Sequence, residues 1–395
     1  MSSIPSSVVM SSLDTFAAKK LASLDAKHLR RTLVDTARED GIWMLREGRR
    51  LLSFSCNDYL NLTQHPKVQE AAIAAIREHG VGAGASRLVT GNHPLYAQLE
   101  TRLARLKDTE AACVFGSGYL ANLGIISALM GRNDLLLVDE LSHSCILAGA
   151  ALSGGKTLMF HHNDVAHAEQ LLHENRELYR HAMIATDGVF SMDGDLAPLH
   201  ELAALCKKYD AWLLSDDAHG IGVVGGGRGS SFAHPPKADV DLQMGTLSKA
   251  IGGYGGYLCA SQTVIDLIKT RARTLVYSTG LPPGTVAAAI AALDVIEYDP
   301  NYAIKPLRKA KAFTARLGLP EAQSTIVPIV ISGTEKTLSA ARMLEDEGFL
   351  VAAIRPPTVP LGTSRLRLTF TAAHPDAEIE RLASIIGERI LNKKI

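Results

Sequence analysis

From about residue 51 to 260 the chain alternates short apolar runs with longer mixed stretches. The runs at 112–115, 135–138, 157–160, 182–186, 211–214 and 256–260 are four or five residues long and end in polar or small residues. Runs of this kind suit strands buried on both faces. The stretches at 69–78, 120–130, 166–174 and 199–209 carry apolar residues at helical spacing. Strands alternating with helices imply parallel strands joined by crossovers. The pattern therefore predicts an α/β domain with a mostly parallel central sheet flanked by helices.

The ends of the chain read differently. Residues 13–38 mix Ala, Leu, Lys and Arg at helical spacing, which predicts an N-terminal helical arm over 1–50. Helical sequence at 284–297 and 302–317 precedes strand-like 324–331, a helix at 335–347, a strand at 366–371 and a helix at 376–391. That order predicts a smaller α+β C-terminal domain over 286–395. The large α/β domain would then span 51–285. Pro282-Pro283 and Asp299-Pro300 are the expected joints.

Composition narrows the function classes. The 395 residues hold 41 Lys+Arg against 41 Asp+Glu, so a broadly basic nucleic-acid binder is not expected. The charge is uneven, however: 300–318 carries Lys305, Arg308, Lys309, Lys311 and Arg316 with no acid. No run approaches about 18 apolar residues, so no membrane span is expected. The N-terminus has no basic, then apolar, signal pattern. Cys56, Cys113, Cys145, Cys206 and Cys259 are odd in number and widely spaced, which suits free thiols in a cytoplasmic protein.

In parallel sheets, ligands bind beyond the carboxyl ends of the strands, so the residues after each apolar run carry the chemistry. Gly116-Ser117-Gly118-Tyr119 follows the run at 112–115 and opens a helix. Small residues there expose amides to an anion such as phosphate, or simply make a tight turn. Asp139 and then His143 follow 135–138, and a ring beyond a strand end can stack on a planar ligand. Asp187 to Asp195 follows 182–186, with carboxylates expected to serve mainly local turns. Asp216-Asp217-Ala218-His219-Gly220 follows 211–214. Asp216 and His219 suit metal ligands, an acid/base pair, or a carboxylate that fixes a protonated ring nitrogen. No histidine pair at metal spacing lies nearby, so no metal is expected. Lys249 sits among Thr246, Ser248 and the glycines at 252–256. A desolvated lysine of this kind can condense with a carbonyl. Together these features fit one ligand, pyridoxal 5′-phosphate (PLP).

On these residues the chain resembles the fold-type I PLP-dependent transferases, and within them the α-oxoamine synthases. The matching segments are 54–60, 116–119, 139–144, 188–194, 216–220, Thr246-Leu247-Ser248-Lys249, 277–283 and 355–360 running on to 365–367. They follow the family's order along nearly the whole chain. The resemblance implies that Lys249 binds the cofactor aldehyde and that Asp216 pairs with the ring nitrogen. His219 and Ser191 would bond the ring hydroxyl, and His143 would stack on the ring. Gly118, Tyr119 and Thr246 would hold the phosphate. Ser278 and Thr279 would reach the phosphate of a neighbouring subunit in a homodimer with shared active sites. Arg367 would hold the amino-acid carboxylate, with Asn57, Arg355 and Arg30 as further substrate contacts. Residues 354–360 look most like the branch that condenses L-alanine with a pimeloyl thioester, on coenzyme A or an acyl carrier protein, in biotin synthesis. Other branches make aminolevulinate, 2-amino-3-oxobutyrate or sphingoid bases. Asp187 stands where many relatives have Glu, Tyr96 where many have His, and Ser248 where some have Gly. A metal-dependent hydrolase using Asp216 and His219 is the alternative from another class.

Overall fold

The computed structural model describes residues 10–26 and 29–392. Its main sheet has seven strands in the order Ala111–Phe115, Gly256–Ala260, Leu242–Thr246, Trp212–Asp216, Ala182–Asp187, Leu135–Asp139, Lys156–Phe160. Gly256–Ala260 runs antiparallel to both neighbours, and the remaining pairs are parallel. All six expected strands are present. Leu242–Thr246 was not expected, because Gln243 and Gly245 break its apolar run. Gln243 is buried yet satisfied: its Oε1 accepts from Ser231 Oγ at 2.9 Å, and its Nε2 donates to the Lys107 carbonyl at 3.2 Å.

Helices cover both faces. Gly118–Leu129 and Gln262–Arg271 bury Ile125, Ile126, Ile265 and Ile268 against one face, with Phe115, Leu214 and Met244. On the other, Leu99, Leu103, Tyr257 and Leu293 share a core. Pro283–Tyr298 buries Val286, Ala289 and Ile296 in that same core. This helix thus packs with the large unit, although the expected boundary at 285 falls at its start.

The expected helical arm over 1–50 needs correction. Ser12–Ala26 is helical and buries no residue, but Thr36–Asp40, Trp43–Arg46 and Arg49–Ser53 form an antiparallel sheet. Gly41 and Gly48 make the turns at φ +54° and +76°, which other residues adopt at a cost. The third strand pairs in parallel with Phe349–Leu350. Leu52 and Phe54 then join the C-terminal core, where the Phe54 ring stacks on His374 at 4.0 Å. The small unit is therefore built from both ends of the chain. Its other sheet is Ile326–Ser332, Ser364–Thr369 and Ala352–Ile354, backed by Thr334–Asp346 and Asp376–Arg389.

One buried ion pair ties the large unit together behind the site. Lys107 Nζ donates to Asp217 Oδ2 at 2.7 Å and to the Arg228 carbonyl at 2.6 Å. The side chains are 0% and 2% exposed. Removing one partner strands the other charge out of water. Lys107→Met should therefore cost about 3–5 kcal/mol in urea denaturation. A loss under about 1 kcal/mol would contradict this.

Candidate active site

Four adjacent strands end side by side at Thr246, Asp216, Asp187 and Asp139. Asp187 and Asp216 face one another in register, both buried. Burial, and then the charge of Asp216, pushes the Asp187 carboxyl well above the usual range. Asp187 still has a task, accepting the His143 amide at 3.0 Å.

Beyond these ends lies a cavity of about 220 Å³. Of the residues expected at a cofactor, Gly118, Tyr119, His143, Asp216, His219, Thr246 and Lys249 all line it. Ser117 caps the helix Gly118–Leu129 by accepting from Leu120 N at 3.2 Å. The amides of Gly118 and Tyr119 open that helix and have no intrahelical acceptor. A Cβ on Gly118 would lie 3.3 Å from both Met244 Cε and Thr246 Cβ, so a side chain there would crowd the cradle. The Thr246 hydroxyl donates to the Gly255 carbonyl at 2.8 Å and stands 2.8 Å from Ser248 Oγ.

Asp216 is oriented on both oxygens. Oδ2 accepts from Asn122 Nδ2 at 2.7 Å and Oδ1 from the Ala218 amide at 3.0 Å. Asn122 also donates to Cys145 Sγ at 3.0 Å, and Cys145 Sγ lies 2.8 Å from His143 Nδ1. Burial, and then Asp216, pushes the Cys145 thiol up to about 12, so it stays neutral. Desolvation lowers His143, with Asp216 opposing and Lys249 adding to the shift.

Among the described residues, Lys249 Nζ makes no hydrogen bond or ion pair. Burial lowers its pKa; Asp216 and Asp187 oppose this, and Arg367 adds to it. His219 is driven well below its ordinary value by burial and by the charges of Lys249 and Arg367. Its Nδ1 lies 2.6 Å from the Tyr59 hydroxyl, which also donates to Asn57 Oδ1 at 3.2 Å.

Arg367 reaches the same region from the small unit. Along Ser364–Thr369, Leu366 and Leu368 enter the small core while Arg365 and Arg367 turn the other way. Arg367 Nε donates to the Ser191 carbonyl, and its two Nη atoms donate to Asn57 Oδ1 at 3.2 and 3.3 Å. Arg365 pairs with Asp193 and donates to the Met192 carbonyl at 3.3 Å. The carboxylates after the apolar run at 182–186 were expected to serve mainly local turns. Asp187, Asp193 and Asp195 instead bind distant partners, because the loop lies against two other segments.

The remaining expected residues lie elsewhere. Arg355 Nη2 donates to the Arg30 carbonyl at 3.3 Å, and Arg30 pairs with Asp25 at 2.9 Å. Arg355 borders a separate groove with Leu29, Thr334, Pro356, Pro357 and Val359 to Leu361. Ser278 donates to the Thr274 carbonyl at 2.7 Å, and Thr279 bridges to Ser86. Neither lines the cavity of its own chain. Asn122, Cys145 and Tyr59 went unrecognised as site residues. Asn122 lies one turn into the helix after the phosphate turn, which is the one local signal that pointed to it.

No described group of three or more His, Cys, Asp or Glu residues is arranged to hold a metal ion. No described helix is long and apolar enough to cross a membrane. The arrangement can hold a phosphorylated planar ring, a carbonyl at Lys249 and a carboxylate at Arg367.

Comparison with known proteins agrees with this chemistry. The family described as "Aminotransferase class I and II" matches residues 49–386. A protein of Beijerinckia indica subsp. indica named 8-amino-7-oxononanoate synthase is 62% identical, over 96% of this chain and 98% of its own. One of the same name from Methylocella silvestris is 66% identical over 87% and 98%. Among solved structures, Sphingomonas wittichii serine palmitoyltransferase superposes with a TM-score of 0.88 at 29% identity, over 97% and 98% of the chains. The 8-amino-7-oxononanoate synthase of Francisella tularensis does so with a TM-score of 0.73 at 25% identity, over 87% and 98%.

Proposed function

The chain belongs to the 8-amino-7-oxononanoate synthases within the class I and II aminotransferase family, a group of PLP-dependent acyltransferases, and we propose that it condenses L-alanine with a pimeloyl thioester. The products would be 8-amino-7-oxononanoate, CO2 and the free thiol carrier, in an early step of biotin synthesis. The observation that carries the reading is the convergence of Lys249, Asp216, His143 and the Gly118 cradle on one cavity, with Arg367 beside it. A carrier of either kind, coenzyme A or an acyl carrier protein, is compatible with it.

The residues fit PLP. Gly118 and Tyr119 amides with Thr246 suit its phosphate, Asp216 its ring nitrogen and His143 its face. His219 suits its ring hydroxyl; Ser191, expected there too, does not line the cavity and offers its carbonyl to Arg367. Bound there, the cofactor supplies an aldehyde for an amino group and a ring that accepts the electron pair released at the amino acid's α-carbon. Lys249 would hold the aldehyde carbon, and its amine, suited by a lowered pKa, would serve as general base for the amino acid's α-proton. Asp216, held by Asn122 and the Ala218 amide, would pair with the ring nitrogen. Arg367 offers a planar fork to the alanine carboxylate. Asn57, Arg355 and Arg30 would make further substrate contacts.

A homodimer is part of the proposal. Ser278 and Thr279 lie off their own cavity; Thr279 bridges to Ser86, and Leu88 and Val89 just beyond Ser86, like Tyr277 next to Ser278, are exposed. An apolar edge of this kind favours a second copy, whose cavity these hydroxyls would then complete.

Borohydride reduction of the PLP-loaded protein followed by peptide mass spectrometry tests the cofactor assignment. The phosphopyridoxyl mass should fall on the peptide holding Lys249. Its absence there, or its presence on another lysine, would overturn the assignment.

A further inference from the structure

We infer that His162 is a positioning residue for the proposed condensation, a charged clamp that holds the loop carrying His143 against the loop that seats Arg367. The inference rests on that functional reading. His161 and His162 follow the strand Lys156–Phe160, and they point apart. His161 packs on His167 at 4.3 Å and pairs with Glu140 at 3.5 Å. His162 turns inward. Its Nδ1 lies 3.2 Å from Asp139 Oδ1 and its Nε2 lies 2.8 Å from Asp195 Oδ2.

Carboxylates only accept hydrogen bonds. Both ring nitrogens must therefore donate, and the ring is an imidazolium. Partial burial pulls its pKa down, but the bonds to Asp139 and Asp195 outweigh this and raise it to about 10. Asn163 Nδ2 also stands 3.4 Å from His162 Nε2. The His162 amide donates to Glu140 Oε1 at 3.1 Å. Asn163 gives its amide to Asp139 Oδ2 at 2.8 Å and its side chain to Asp195 Oδ2 at 2.9 Å. The edge of His162 meets Phe190 at 4.4 Å.

Each carboxylate also shapes one loop. Asp139 Oδ1 accepts from Leu141 N at 2.9 Å, and its carbonyl accepts from Ser142 N at 3.0 Å, so Asp139 forms the turn that delivers His143. The Asp195 carbonyl accepts from Phe190 N at 3.0 Å. That bond closes the loop containing Ser191, whose carbonyl holds Arg367, and Asp193, which pairs with Arg365. Among the described residues no backbone hydrogen bond joins 139–143 to 189–196. His162, assisted by Asn163, makes the link.

Three measurements test this. Nitrogen-15 NMR of the wild-type protein should find both His162 ring nitrogens protonated through pH 8; a neutral ring at pH 7 would overturn the clamp. His162→Gln should raise the amino-acid KM by about tenfold, the scale of a small misplacement, and change kcat less. His162→Arg, which keeps the charge and two donors, should recover most of that loss. Unchanged KM in His162→Gln, or equal losses in both variants, would overturn the inference. Should His162→Gln not fold, Asp195→Asn breaks one arm and should raise the same KM. A wild type that condenses nothing would sink the functional reading instead, while the NMR titration still judges the clamp.

Discussion

Replacing Lys249 by alanine should lower turnover by at least about 10⁴-fold. Loss of a positioned general base alone costs about 10²–10⁴, and Lys249 is also the proposed attachment point for the cofactor. Its surroundings explain the size of the effect. Asn122 is committed to Asp216, Cys145 is a neutral thiol, and His143 and His219 have lowered pKa values. Among the described residues, no lysine other than Lys249 lines the cavity. The variant should still fold, since the Lys249 side chain makes no hydrogen bond or ion pair with a described residue whose loss would weaken the protein. Single-turnover assays would measure the drop. A loss of tenfold or less would mean that another group takes the proton.

The second large effect is expected at Arg367. Arg367→Ala should raise the KM for alanine by about 10²- to 10³-fold, since losing a buried charged partner costs about 2–5 kcal/mol. The KM for the thioester should move far less. Arg367→Lys keeps the charge but not the fork, and should fall between the two. Because Arg367 also holds the Ser191 carbonyl and Asn57, thermal denaturation should accompany the kinetics to separate folding from binding. An unchanged alanine KM in a folded variant would remove Arg367 from the carboxylate site.

Much of this site was legible because its signals are local. Asp216, His219 and His143 each follow a short apolar run, and strand ends are where such sheets bind ligands, while Lys249 stands out among hydroxyls and glycines. The alternation of strands and helices likewise marks the parallel sheet. What escaped notice depends on contacts distant in sequence. Asn122 reaches Asp216 across 94 residues, and Tyr59 reaches His219 across 160. His162 means nothing until the fold brings Asp195 to it. The strands at 36–53 were masked by helix-forming residues, and their pairing partner at 349–350 lies near the other end of the chain. Leu242–Thr246 was masked by Gln243, whose burial is offset by Ser231 and the Lys107 carbonyl. Periodicity reports which face of an element is apolar. It does not report which polar group will be paired, because the partner is supplied by the fold.

The central claim is the choice of amino acid and acyl chain, and a product assay tests it most directly. The PLP-loaded protein would be offered L-alanine, glycine and L-serine in turn, each with pimeloyl, acetyl, succinyl and palmitoyl thioesters. Products would be read by mass spectrometry and free thiol by titration. The account predicts 8-amino-7-oxononanoate, with one thiol and one CO2 per product, from alanine and the pimeloyl thioester in preference to every other pair. Turnover of another pair with none of this one would contradict it.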